Sequence, residues 1–205
     1  MQRQTTVFWI MASVFVVSIA IGTTVAGAQT LPRSELPTPQ EFFTDVTLTN
    51  QNGVEKRLYT DLLSDRTVIV SVLRSTDEKS NDAMMHRLSD VQSLLGEKMG
   101  VEVSLITITL DTHSMASLKM YAEDANARHG WDFVTSDEAT LSKTLRKFGQ
   151  EPGNQDDIDT RLLIGNVATG DWRMASGLSS AHEINAAVSS VMPIALGNMS
   201  LNMDE

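Results

Sequence analysis

Two buried-strand runs constrain this chain more than anything else in it. Thr67-Val68-Ile69-Val70-Ser71-Val72-Leu73 is β-branched and uncharged, and Val101 to Leu110 repeats that character with only Glu102 charged. Runs of this length, bounded by polar residues, predict strands apolar on both faces, and such strands sit inside a sheet with helices on either side. Between them Met84, Met85, Leu88, Val91, Gln92, Leu94 and Leu95 recur at helical spacing, which predicts an amphipathic helix closed near Gly96 or Gly100. Strand, helix and strand in that order is a βαβ unit with a right-handed crossover.

The flanking segments extend this unit. Val46 to Thr49 and Val54 to Tyr59 alternate apolar and polar residues about the turn Asn50-Gln51-Asn52-Gly53, which predicts a hairpin, and Asp61-Leu62-Leu63 a short helical connection. Ser114 to Arg128 carries Met115, Leu118, Met120, Tyr121, Ala122 and Ala125 at helical spacing, and Gly130 to Val134 reads as a strand. Ser136 is the expected N-cap of a helix that reaches Phe148 and ends at Gly149. Gln150 to Thr160 is a polar, acidic loop, Arg161 to Ile164 a strand turning at Gly165-Asn166, Trp172 to Met174 a further strand, and Ala181 to Val191 the last helix. An N-terminal hairpin, a βαβαβ core and a terminal hairpin with a helix predict an α/β domain of thioredoxin-like fold, a central mixed sheet with flanking helices, although a flavodoxin-like sheet shares much of the pattern.

Residues 1–28 predict an export leader. Arg3 is followed by an apolar run from Val7 to Gly22, shorter than the ~20 residues a spanning helix needs, and Ala26-Gly27-Ala28 fits a signal-peptidase site. The segment reads as a signal peptide cut after Ala28 or as a retained N-terminal membrane anchor. Residues 29–41, with Pro32, Pro37 and Pro39, read as a linker, 42–191 as the domain, and 192–205 as a Met-containing tail. The formal charge of −10 becomes one unit more negative when Arg3 leaves with the leader. Such a surface repels phosphate backbones and anionic headgroups, so nucleic acid is excluded as a partner and membrane contact is expected only through the N-terminal segment. Protein partners fit better.

Several segments, in order and spacing, resemble the Sco/SenC family of thioredoxin-like copper proteins associated with cytochrome c oxidase assembly. They are Phe43-Thr44-Asp45-Val46-Thr47-Leu48 with Asn50-Gln51-Asn52-Gly53, Val68 to Leu73, Leu105 to Asp111, Leu118 to Ala122, Trp131 to Thr135 and Leu163-Ile164-Gly165. The resemblance covers roughly residues 42 to 191. It implies that the strand Val68 to Leu73 leads into a Cys-x-x-x-Cys-Pro segment, that a histidine precedes the strand Leu162 to Ile164, and that these three side chains hold copper. Ungapped extension instead puts Asp77 and Asn81 at the two cysteine positions, Asp82 at the proline, and Met84 near the methionine that often follows. The histidine position falls on Asp157, or on Thr160 if the loop is shifted, and Asp111-Thr112-His113 is shorter than the family's corresponding segment.

The chain contains no cysteine. Disulfide exchange, thiolate catalysis and thiolate metal binding are therefore closed to it, because a thioether cannot carry the negative charge those reactions require. Two thiolates and an imidazole suit copper, whereas two carboxylates and an amide do not, so copper held by the family's ligand set is not expected. Asp77, Asn81, Asp82 and Asp157 read as a solvated acidic surface rather than a hard-cation cage, since their spacing matches none.

Thioethers offer a second route to copper through Met84, Met85 and His86, or through Met192, Met199 and Met203 in the tail, though methionine at helical spacing more often packs a core. His86, His113, His129 and His182 are scattered, and Ser75, Ser80 and Ser114 sit in no nucleophile motif. No catalytic residue is expected. The sequence thus predicts an exported, non-catalytic binding or chaperone-like factor linked to respiratory-complex or copper-site maturation, with copper delivery by Met and His ligands as the alternative and a peroxiredoxin-like enzyme as a remoter one.

Overall fold

Both β-branched runs supply strands at the centre of one sheet, and every residue of Thr67–Leu73 and of Val103–Thr109 is buried, whereas Val101 and Glu102, read as the start of the second strand, are exposed in the turn before it. The computed structural model describes residues 38–74, 78–110, 114–150 and 160–193. Along the chain these form α1 (Pro39–Phe43), β1 (Thr47–Asn50), β2 (Glu55–Arg57), a π-helical turn (Leu58–Leu63), β3 (Thr67–Leu73), α2 (Glu78–Leu95), a 3₁₀ turn (Gly96–Lys98) and β4 (Val103–Thr109). They continue as α3 (Met115–Asp124), β5 (Trp131–Thr135), α4 (Glu138–Lys147), β6 (Arg161–Asn166), β7 (Asp171–Ser176) and α5 (Ala181–Val191).

The sheet order is β2-β1-β5-β4-β3-β6-β7. β3, β4 and β5 are parallel, as their helical connections require, while the two hairpins add antiparallel strands on either side. Alternation along the strands divides the core in two. Ile69, Leu73, Leu105, Trp131, Phe133 and Ile164 face α2, α3 and α5, which contribute Met84, Leu88, Val91, Leu118, Ile184 and Val188. Val68, Val70, Val72, Ile106, Ile108 and Val134 face the other way, against Phe43 of α1, Leu58 and Leu62 of the π turn, and Leu141 and Leu145 of α4.

The structure refines several local expectations. Helix α1 begins at Pro39, inside the stretch read as linker, because Thr38 and Glu41 form a reciprocal capping box and proline suits the first helical position. Asp137, not Ser136, caps α4: its carboxylate accepts from the Thr140 amide at 3.0 Å, and the Ser136 hydroxyl donates instead to the Thr47 carbonyl at 3.2 Å. Strand β6 continues through Gly165 and Asn166, since Asn166 donates its side-chain amide to Thr67 across the sheet at 3.1 Å. Gly165 is required there by packing, because a Cβ would lie 2.0 Å from the Trp172 ring on β7.

Candidate functional site

The position to examine is the C-terminal end of β3, where the resemblance implies metal ligands. Parallel sheets gather their functional groups at that end, since loops leaving adjacent strands converge there. Asp77 and Asp157, two of the three positions to which the resemblance points, lie outside the described residues, as do Ser75, His113, Met199 and Met203. Asn81, the third, sits in the first turn of α2.

Helical side chains lean toward the N-terminus of their helix, and this lean carries the Asn81 amide back to the end of β3. There Nδ2 donates a short hydrogen bond to the Arg74 carbonyl, closing a seven-residue span between strand and helix. The Oδ1 atom is buried and accepts no hydrogen bond from the described residues. An amide oxygen is a hard donor that does not match copper's preference for thiolate and imidazole, and the amide nitrogen is spent as a clamp on the backbone.

Register brings Thr160 to the same end. Val70 pairs with Leu163 in the antiparallel β3–β6 ladder, so continuing that ladder sets Thr160 level with Leu73. The Thr160 carbonyl accepts from the Gly177 amide, and a Cβ on Gly177 would lie 2.6 Å from Met84 Cγ and 3.0 Å from that carbonyl. Met84 is fully buried in the core and packs close against Gly177. Tertiary structure therefore brings Asn81, Met84 and Thr160 to one end of the sheet, joined by backbone contacts and packing.

The thioether alternative loses its convergence among the described residues. Met84 and Met85 are in the core, His86 is exposed, and Met192 packs half-buried against the α2/α5 layer. His129 lies against Gly100 at the opposite end of the sheet, His182 is exposed in the first turn of α5, and Asp82 is exposed on α2. Ser114 caps α3, with its hydroxyl accepting from the Ser117 amide. Among the described residues no three His, Asp or Glu side chains converge as a metal site.

Carboxylates held below their ordinary pKa are found elsewhere, all at caps and turns. Thr38 hydrogen bonds lower Glu41, those of Arg57 lower Asp61, those of Thr140 lower Asp137, and those of Ser180 lower Glu183. Sequence reading missed the two glutamines that organise the far end of the sheet. Gln51 bonds the Trp131 carbonyl and the Phe133 amide like an extra strand, and Gln92 bonds the Asn126 carbonyl and the Arg128 amide. For Gln92 there was a signal: a polar residue within an otherwise apolar helical stripe.

A mixed sheet with its parallel strands at the centre, an N-terminal hairpin and helices on both faces defines a thioredoxin-like fold. Solved structures of Sco proteins share it. A SCO1/SenC family lipoprotein from Bacillus anthracis matches with a TM-score of 0.58 at 14% identity, covering 71% of this chain and 92% of its own. Copper-bound ScoI of Bradyrhizobium japonicum matches with a TM-score of 0.56 at 15% identity, covering 71% and 96%. BsSco, described as having a disulfide switch and as a member of the Sco family of cytochrome c oxidase assembly proteins, matches with a TM-score of 0.54 at 20% identity, covering 72% and 91%. No protein-family model matches the sequence, and no curated protein matches it either. The chain thus has the fold of the Sco/SenC proteins, which its residues resemble, and has no cysteine with which to build a Cys/Cys/His site.

Proposed function

We propose that this chain is an exported Sco/SenC-like protein that acts by binding another protein in respiratory-complex or copper-site maturation, without catalysis and without the family's copper site. The observation that carries the reading is Asn81. In a cysteine-free chain it falls where the resemblance implies the second ligand, and it gives its amide hydrogen to the Arg74 carbonyl. That donor set does not fit copper, whose affinity in such sites comes from thiolate and imidazole. A peroxiredoxin-like reaction lacks its nucleophile for the same reason.

What supports the setting is the fold shared with proteins named for cytochrome c oxidase assembly and for bound copper. Export is supported by the leader-like residues 1–28 and by the description of one neighbour as a lipoprotein. Among the described residues no helix is long and apolar enough to cross a membrane.

Two measurements test the reading together. Competition for Cu(I) against a chromophoric chelator is expected to leave the metal with the chelator, and stoichiometric retention by the protein would restore a copper-delivery role. Deletion of the gene is expected to reduce assembled cytochrome oxidase, and unchanged assembly with unchanged oxidase copper would remove the link to maturation.

A further inference from the structure

At the end of the sheet opposite Asn81, a cleft of about 670 Å³ opens between the β1–β2 turn, the C-terminal part of α3 and the entry to β5. Its walls carry Lys56, Arg66, Lys119 and Arg128, a quarter of all the lysines and arginines of a chain whose formal charge is −10. Three carboxylates also line it, and each is already engaged. Asp61 pairs with Arg57 at 3.4 Å, Glu123 with Lys119 at 3.9 Å, and Asp132 accepts from the Asn50 amide at 2.8 Å. Among the described residues Lys56, Arg66 and Arg128 have no carboxylate within ion-pair distance.

The cleft is also rigidly built. Arg66 is tethered by Nη1 to the Ser104 hydroxyl at 3.2 Å, while its Nε is buried and donates to none of the described residues. Buried Gln92 uses both ends of its amide on the Asn126 carbonyl and the Arg128 amide, at 3.0 and 2.7 Å, fixing the segment that carries Arg128. Beneath it Gly100 and Gly130 cross so closely that a Cβ on Gly130 would lie 2.4 Å from the Gly100 backbone. The Arg66 guanidinium, held in advance, loses little freedom on capturing an anion, and the forks of Arg66 and Arg128 match the geometry of phosphate and carboxylate oxygens.

We propose that this cleft binds a small molecule carrying two or more anionic oxygen groups, a polyphosphate or a polycarboxylate, through Lys56, Arg66 and Arg128. More than one group is needed because the attraction is local and the rest of the surface repels anions. This site is independent of the function proposed above and fails or stands separately from it.

Calorimetric titration of the full-length protein with inorganic pyrophosphate and with citrate, at low and at moderate salt, tests it. Saturable heat is expected for at least one of the two, weaker at higher salt, and the arm that binds identifies the phosphate or the carboxylate source. Arg128→Ala and Lys56→Ala are each expected to weaken binding about tenfold. Both variants should keep the native circular dichroism spectrum, since Arg128 is exposed and Lys56 half-exposed, whereas Lys143→Ala on α4 should bind like the parent. No saturable heat with either anion up to about 10 mM, a concentration at which even a millimolar site would fill, overturns the proposal. So does an equal loss in the Lys143 variant.

Discussion

At the scale of single residues, Asn81 shows what holds strand to helix in a chain without cysteine. A disulfide or a shared metal ion would tie the end of β3 to α2 through side chains, whereas here one side-chain amide ties α2 to the Arg74 carbonyl. A hydrogen bond of this kind contributes about 1 kcal/mol net. Asn81→Ala is therefore expected to lower the unfolding free energy by that amount, seen as a lower urea midpoint at unchanged slope, and to raise amide exchange in the first turn of α2. A variant as stable and as protected as the parent would show that the clamp is idle. Sequence spacing singles out Asn81 as a residue of interest through the family resemblance. Its orientation was not legible there, because the partner is a backbone carbonyl and carbonyls carry no sequence signal.

Among the elements, the N-terminal π turn shows how local electrostatics fix a connection that periodicity describes poorly. Alternation through Tyr59 suggested a strand, yet Leu58–Leu63 closes as a helical turn in which the Ser64 amide bonds the Tyr59 carbonyl. Asp45 decides this: its carboxylate accepts from the Tyr59 and Thr60 amides and the Thr60 hydroxyl, gathering the turn onto the chain before β1. Partial burial pushes the Asp45 pKa up, but the hydrogen bonds from Thr60, the charge of Arg57 and the Tyr59 amide outweigh it, and the carboxyl lies below its ordinary value. A folded-state pKa below the unfolded one gives stability that is fully present above the unfolded value of about 4 and is lost as pH falls through the folded value. Glu41, Asp61, Asp137 and Glu183 shift the same way. Urea unfolding should thus give a level stability from neutral pH down to about 5 and a decline below about 4, with a shallower decline in Asp45→Asn. Identical pH profiles for parent and variant would contradict this account.

For the whole molecule, one sheet separates two apolar layers, so neither layer can be lost without exposing the other face of the same strands. Trp131 lies in the layer under α2 and α3, stacked on Phe133 at 5.3 Å, and donates its indole N–H to the Thr107 hydroxyl. Trp172 lies in the other layer, 5.5 Å from Phe43 between ring centres. In each variant that retains only one of these two tryptophans, with Trp9 also replaced, fluorescence and far-UV circular dichroism should give the same denaturant midpoint. Separate midpoints would mean that the layers are independent.

Much of this was fixed by the order of residues alone. The central strands, the amphipathic helices and the mixed sheet follow from period-two and period-3.6 patterns that any fold must satisfy by burying those faces, and the loss of thiol chemistry follows from composition. The tertiary structure decided what the side chains at each end of the sheet do. Met84 packs in the core beside Gly177, nearly a hundred positions away, and Asn81 bonds a backbone carbonyl. Arg128 meets Lys56 and Arg66, residues of a much earlier segment, in one cleft through strand register. Periodicity reports which face of an element is buried, but encounters between elements depend on register and packing, which no local pattern encodes.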